Sequence, residues 1–230
     1  MIDPAFIQDI IRVLFAVVIV TAAYIISTRN LVSVISVYAL QSLTLVFMAL
    51  ALYSLEGAMI LLAIACITFV SKVLIIPYFI VTIQERIRIK RDIEFHFLSP
   101  TTSLLLSMGL MLFIYIALSN ILKGTPARES LFFFGAVIGL SLMLMGMMVT
   151  FSRKRAITKV LGYLSMENGV LLFGLFVTEL PFIIEFLIII DLIILVILTT
   201  ILTVGLDSTL EDYHSRLHRF HLVEDTEESP

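Results

Sequence analysis

Tryptophan is absent from this 230-residue chain, cysteine occurs once, and charged residues make up only 14% of the sequence. The single cysteine, Cys66, excludes a disulfide within the chain. The shortage of charge excludes an ordinary soluble domain, in which about a quarter of the residues are charged. Instead, 60% of the residues are hydrophobic and the mean hydropathy is +1.10. This composition predicts an integral membrane protein.

The N-terminal region has no basic stretch before its apolar run and no clear small-residue cleavage site, so we expect a retained helix rather than a signal peptide. A transmembrane helix needs about 20 consecutive apolar residues. Continuous apolar runs, without the alternation of strands, favour an all-α protein. Seven predicted spans lie near residues 10–27, 31–54, 57–83, 101–122, 131–151, 156–177 and 181–206.

The basic residues of the loops predict how the chain is oriented. With seven spans, nine of them fall on one side, and Lys123 and Arg128 fall on the other. Because cytoplasmic loops carry an excess of lysine and arginine, we expect the N-terminus outside and the C-terminus in the cytoplasm. The nine residues are Arg29, Arg86, Arg88, Lys90, Arg91, Arg153, Lys154, Arg155 and Lys159.

Three ionisable side chains lie inside the apolar spans, near their middles. Glu167 is in the sixth span, Asp191 in the seventh and Lys72 in the third. At 1.5 Å per helical residue, each is about 15–16 Å from a membrane face. An ionised group at mid-bilayer costs at least ~2.5–3.5 kcal/mol, and such residues are rare and usually functional. Together with Gln41 in the second span, they predict a row of polar groups across the midplane.

Other polar residues accompany this row. Tyr163 precedes Glu167 by four residues, on the same helical face, where its hydroxyl is in reach of the carboxyl. Glu185 lies in the outer third of the seventh span, where we expect an exit-side group. Pro77 removes the hydrogen bond normally made to the carbonyl of Val73, which frees a carbonyl beside the lysine. These residues predict a polar path for protons.

Each residue of the row also has a structural interpretation. Glu167 and Asp191 would form ion pairs or packing hydrogen bonds, and Lys72 would be a counter-ion that fixes helix geometry. For Gln41, a simple hydrogen bond between helices is the favoured interpretation. The sequence alone leaves these alternatives open.

Small residues at helical spacing in the fifth and sixth spans favour close helix packing. They are Gly135, Gly139, Gly146, Gly162, Ser165 and Gly169. The chain also shows a weak internal duplication, because the first three and last three spans each end with a helix that carries a midplane charge. We predict two three-helix units, 1–97 and 128–206, joined by a linking transmembrane helix in 98–127, with a cytoplasmic tail at 207–230.

Three stretches resemble a known family. Residues 162–169, GYLSMENG, resemble the signature of component E of hydrogenase-4, a membrane subunit of group 4 hydrogenase and formate hydrogenlyase complexes. Residues 69–77, FVSKVLIIP, resemble that family's third helix, and residues 38–42, YALQS, its second. The resemblance covers essentially the whole membrane region and leaves out the tail.

The last three spans are more distantly similar to the three-helix K subunit of complex I and to the C component of Mrp-type cation/proton antiporters. In those proteins two midplane carboxylates belong to a lateral proton path, which Glu167 and Asp191 match in helix and depth. The second acid here is Asp where the K subunit has Glu, and the first unit departs further, with Gln41 and Lys72 instead of acids. The similarity implies two complex I K-like units.

What the resemblance implies is a non-catalytic, multi-pass subunit in the plasma membrane of a prokaryote. It would form part of a midplane proton or sodium path, coupled to redox chemistry elsewhere in a complex I-like, energy-converting hydrogenase. No cofactor is expected in this chain, and nickel–iron and iron–sulfur centres are expected in partner subunits. The implied partners are antiporter-like and quinone-site-like membrane subunits, a hydrogenase module and the lipid bilayer, with no nucleic acid.

Two other functions fit parts of the pattern. One is a subunit of a redox-free, Mrp-like cation/proton antiporter. The other is a seven-helix receptor or retinal protein, but the Schiff-base lysine of a retinal protein would normally lie on the last helix, and Lys72 is in the third span. Co-purifying subunits would distinguish the three.

Overall fold

The computed structural model describes residues 4–28, 30–86, 99–121, 131–153, 156–177, 189–190, 193–194, 196–197 and 200. In these residues the chain is helical and contains no strand. The helices are α1 (Pro4–Ser27), α2 (Leu31–Glu56), α3 (Met59–Thr68), a π-helix (Phe69–Ile75), α4 (Ile76–Arg86), α5 (Pro100–Ile121), α6 (Leu131–Ser152) and α7 (Ala156–Val177). The segment from α3 through the π-helix into α4 is continuous.

Six of these helical segments in the described part of the chain are long and apolar enough to cross a membrane. They coincide with the first six predicted spans and confirm a multi-pass, helical membrane protein. The seventh predicted span, 181–206, lies mostly outside the described residues. Its described positions are helical, and Ile190 and Ile194 are buried. The domain boundaries and the orientation in the membrane stay predictions.

Local chemistry accounts for the helix ends. The side chain of Asn30 accepts a hydrogen bond from the backbone N–H of Val32 at 3.1 Å and so caps the start of α2. Gly57 ends α2 at φ 68°, in the left-handed region that glycine enters without steric cost. Helix α1 begins at Pro4, earlier than the predicted residue 10, because proline suits the first helical turn.

Helix α2 lies at the centre of the bundle, where it packs against α1, α3, the π-helix, α4 and α7. Helix α5 lies at the periphery, against α6 and α1. Its large apolar side chains are mostly exposed, as expected for a surface in contact with lipid. The polar side chains of the central helices are therefore separated from lipid by other helices.

The closest packing is between α6 and α7, and it depends on glycine. A Cβ atom added at Gly139 would lie 2.5 Å from the backbone nitrogen of Phe173, and one at Gly162 would lie 2.6 Å from that of Thr150. At Gly146 the added atom would overlap the backbone of Met166. These contacts join backbone to backbone, so the small-residue stripe predicted from the sequence is confirmed as a helix-packing surface.

Two of the clusters of buried apolar side chains in the described residues have a polar layer between them. On α2, one apolar cluster includes Tyr38 and the other begins at Leu45. On α7, the same two clusters are separated by the residues between Leu164 and Leu171. The polar residues Gln41 and Glu167, among others, occupy these intervals. The polar layer thus lies near the middle of the spans, covered on both sides by apolar packing.

A buried arginine joins two loops on one side of this bundle. Arg153, 3% exposed, donates hydrogen bonds to the carbonyls of Ile25, Ile26 and Thr28 at 3.1–3.4 Å. A cation is favoured at the C-terminal end of a helix, which here is the end of α1. Burial lowers the pKa of Arg153 to about 10, so it is charged at neutral pH. Arg153, which the sequence predicts as one of the residues that set the membrane orientation, therefore also caps the C-terminal end of α1.

Candidate functional site: a buried ion pair and its amide network

The centre of the polar layer is an ion pair between Lys72 and Glu167. The lysine Nζ lies 2.8 Å from Oε1 of the carboxylate, and the two side chains are 0% and 1% exposed. Lys72 belongs to the π-helix and Glu167 to α7, so two distant parts of the sequence supply the charges. Because the two groups are close together and buried, each charge offsets the other in an apolar interior.

Two amide side chains extend the pair towards α2. Lys72 also donates to Oδ1 of Asn168 at 3.5 Å. The amide nitrogen of Asn168 in turn donates to Oε1 of Gln41 at 3.2 Å and to the hydroxyl of Ser42 at 3.1 Å. All these side chains are fully buried. The amide of Asn168 therefore joins the lysine on one side to α2 on the other.

The network continues from Gln41 to a further helix. The amide nitrogen of Gln41 donates to the hydroxyl of Thr21 on α1 at 3.4 Å. Its oxygen accepts a second hydrogen bond, from the hydroxyl of Ser165 at 3.3 Å. The hydroxyl of Thr21 then donates to the backbone carbonyls of Val17 and Val18 at 2.9 and 2.8 Å. One chain of polar contacts thus crosses α1, α2, α7 and the π-helix.

The backbone at Lys72 is unusual. The N–H of Ile76 bonds to the carbonyl of Ser71, five residues earlier, which is the wider spacing of a π-helix. Pro77 follows at once and has no N–H, so neither the carbonyl of Lys72 nor that of Val73 receives a bond from it. π-Helices are rare and are frequent at functional sites. The hydrogen bond that Pro77 cannot donate is evident from the sequence, whereas the widened helix is not.

The energetics of the pair follow from its burial. Taking two charges out of water is costly, and their attraction repays this only with good geometry and further hydrogen bonds. Removing one partner of a buried pair typically costs about 3–5 kcal/mol, because the other charge is left uncompensated. In the described part of the chain, the two charges lie 2.8 Å apart, and Lys72 makes a further hydrogen bond to Asn168.

The structure brings three of the predicted site residues together: Lys72, Glu167 and Gln41. Tyr163 is partly buried and lies one turn before Glu167 on α7, and the hydrogen bond expected between them stays a prediction. Asp191 and Glu185 lie outside the described residues, so their predicted place in the path stays a prediction. The acid that Lys72 contacts is Glu167.

Sequence reasoning missed three members of the network. Asn168, next to Glu167, was assigned no role, although an amide in an apolar span is itself a signal. Ser165 was assigned only to helix packing, and Thr21 was not considered. A threonine in an apolar helix often satisfies its hydroxyl within its own helix, so its contact with another helix shows only in three dimensions.

Comparison of the chain with protein-family models, with curated proteins and with solved structures finds no match. In the residues that the structure describes, no group of three or more histidine, cysteine or acidic side chains is arranged to hold a metal ion. The candidate site is thus defined by its own geometry: a buried, charge-compensated pair held by amides and hydroxyls near the middle of a membrane bundle.

Proposed function

We propose that this chain is a non-catalytic membrane subunit of a complex I-like, energy-converting hydrogenase of the hydrogenase-4 or formate hydrogenlyase type. In this proposal it forms part of a midplane path for protons or sodium ions, driven by redox chemistry in partner subunits. The redox centres, nickel–iron and iron–sulfur, belong to those partners. The proposal rests on the sequence resemblance and on one observation: the Lys72–Glu167 pair lies in a polar layer that spans four helical segments.

Within the proposed path the residues have different tasks. Lys72 and Glu167 hold and exchange protons, since an ammonium and a carboxylate both change protonation state. Gln41 and Asn168 do not carry protons, because amides do not release them near neutral pH. Their task is to hold the network that positions the pair. Asp191, near the middle of the seventh predicted span, and Glu185, in its outer third, would continue the path towards the outside. Intramembrane ionisable groups that pair with one another commonly mark such proton relays.

A structural role is the second candidate, and the compensation of the pair favours it. A lysine and a glutamate that neutralise each other and are held by Asn168 would fix the packing of the π-helix against α7. In that case the pair would be replaceable by a neutral pair without loss of ion transport. Proton carriage by the pair makes the opposite prediction.

Co-purification tests the proposed class of protein most directly. The full chain, tagged at its C-terminus and extracted from its native membrane in mild detergent, should bring with it a hydrogenase module that contains nickel and iron. Recovery of antiporter-like subunits alone, with no redox module, would favour the Mrp-like antiporter instead. Recovery of the chain without partners would contradict both.

A further inference from the structure

Two buried hydroxyls beside Lys72 make no hydrogen bond in the described part of the chain. Thr68 is 1% exposed, and neither its Oγ1 nor the buried Oγ of Ser71 has a partner there. Thr68 lies one turn before the lysine, and Ser71 directly precedes it. Because buried polar groups nearly always have partners, two orphaned hydroxyls within one turn indicate that something binds them.

Other buried hydroxyls in these helices behave differently. Thr44 donates to the carbonyl of Leu40 at 2.8 Å, and Ser141 donates to that of Val137 at 2.6 Å, four residues earlier in both cases. This bond within the helix is the usual way in which a buried threonine or serine is satisfied. Thr68 ends α3 and Ser71 lies in the π-helix, where the backbone register changes. The exceptions therefore coincide with the widened helix.

The ammonium of Lys72 supplies a third unfilled position. A protonated lysine has three N–H donors. In the described residues two of them are accounted for, by Glu167 at 2.8 Å and Asn168 at 3.5 Å. The three residues that carry this donor and the two orphaned hydroxyls, Thr68, Ser71 and Lys72, lie within about one turn of one continuous helical segment. A water molecule buried in a protein typically makes about three such hydrogen bonds.

We infer that Thr68 and Ser71 form a water-binding site that hydrates the Lys72–Glu167 pair. Water fits because it accepts from the ammonium and also exchanges hydrogen bonds with two hydroxyls. A sodium ion fits poorly, because the ammonium one turn away repels it and already compensates the carboxylate of Glu167. The part that this water plays in ion passage rests on the proposed function, whereas the hydration itself is a property of the chain alone.

The sign of a stability change tests the site. Thr68→Val keeps the shape of the side chain and removes the hydroxyl. If the hydroxyl binds water, the purified full chain should unfold at a midpoint lowered by about 2–4 °C, the shift typical of a single lost interaction in a chain of this size. If the hydroxyl is dry and unpaired, removing it relieves a penalty, and the midpoint rises. An unchanged or higher midpoint overturns the inference.

Matched variants separate the hydroxyl from other effects. Thr44→Val, which removes a hydroxyl satisfied within its own helix, should lower the midpoint less than Thr68→Val. Thr68→Ser, which keeps the hydroxyl, should recover most of the loss. Ser71→Ala removes the second hydroxyl and should also lower the unfolding midpoint. If Thr68→Val does not fold, Ser71→Ala tests the inference in its place.

Replacing potassium chloride with sodium chloride at constant ionic strength distinguishes water from a sodium ion as the ligand. The unfolding midpoint of the unmodified chain should not change. A sodium-dependent rise that Thr68→Val abolishes would identify sodium as the ligand and overturn the assignment of water. Neither result depends on the partner subunits, so failure of this inference is distinguishable from failure of the proposed function.

Discussion

At the scale of residues, the central feature is that the two charges of the polar layer, on Lys72 and Glu167, compensate each other. Lys72 and Glu167 come from segments 95 residues apart in the chain, yet they lie 2.8 Å apart with almost no exposure. A lone glutamate at this depth would favour its protonated form, since an isolated buried charge is costly. The lysine supplies the counter-charge at 2.8 Å. The cost of burying either charge therefore depends on the presence of the other.

A double-mutant cycle measures this dependence. Lys72→Met and Glu167→Gln each leave one charge without its partner, so each should destabilise the purified chain, by up to about 3–5 kcal/mol. The double variant removes both charges and should cost clearly less than the sum. Chemical or thermal unfolding of the four forms gives the coupling energy. Lys72→Arg, which keeps the charge, is the matched control.

Additive costs in this cycle would contradict a direct interaction between the two side chains. The ion pair also changes what the sequence leads us to expect of Glu167→Gln. If Glu167 is considered alone, as the one acid in the middle of its helix, Glu167→Gln removes a costly buried charge. The variant subunit is then expected to assemble well or even to be more stable. The structure shows that the same substitution removes the counter-charge of Lys72, so the double variant is the better neutral form.

At the scale of elements, the contact of α6 with α7 depends on the absence of side chains. An alanine at Gly146 would place its Cβ against the backbone of Met166. Backbone cannot move aside as a flexible side chain can, so the two helices would have to separate. By contrast, the space around Gly109 on the peripheral α5 is open, with nothing within 4 Å of an added Cβ. The two glycines are therefore a matched pair for a test.

Gly146→Ala should lower the stability of the chain by about 1–3 kcal/mol, the usual cost of overpacking. Gly109→Ala should leave stability unchanged or raise it, because alanine is a better helix former than glycine by up to about 1 kcal/mol. Thermal unfolding of both variants in the same detergent is the measurement. Equal responses at the two positions would show that the close backbone contact does not matter.

How much of this could be predicted from the sequence depends on the kind of signal. The first six spans and the glycine stripe follow from apolar runs and small-residue spacing, which are local patterns. The charges at Lys72 and Glu167 also stand out, because charge is rare in apolar helices. The sequence leaves ion pairing open as a structural alternative, but it does not say that Glu167 is the partner of Lys72, since that depends on the rotation of each helix. The π-helix leaves no pattern in an apolar run, although Pro77 marks its end.

At the scale of the whole molecule, the polar layer is enclosed. Among the described residues, apolar clusters cover it on both sides. A layer of this kind does not connect the two membrane faces by itself. If it carries ions, it must pass them sideways to groups in the seventh predicted span or in partner subunits. The proposed role as one section of a path in a larger complex agrees with this enclosure.

The central claim is that the Lys72–Glu167 pair carries protons rather than only holding helices together. The decisive measurement is redox-driven ion translocation by the assembled complex in sealed vesicles, with assembly followed on native gels. The neutral double variant, Lys72→Met with Glu167→Gln, should assemble and retain redox turnover but lose most of the translocation. Glu56→Gln, the same change at an exposed helix end, should translocate normally. Full translocation by an assembled double variant would contradict the account.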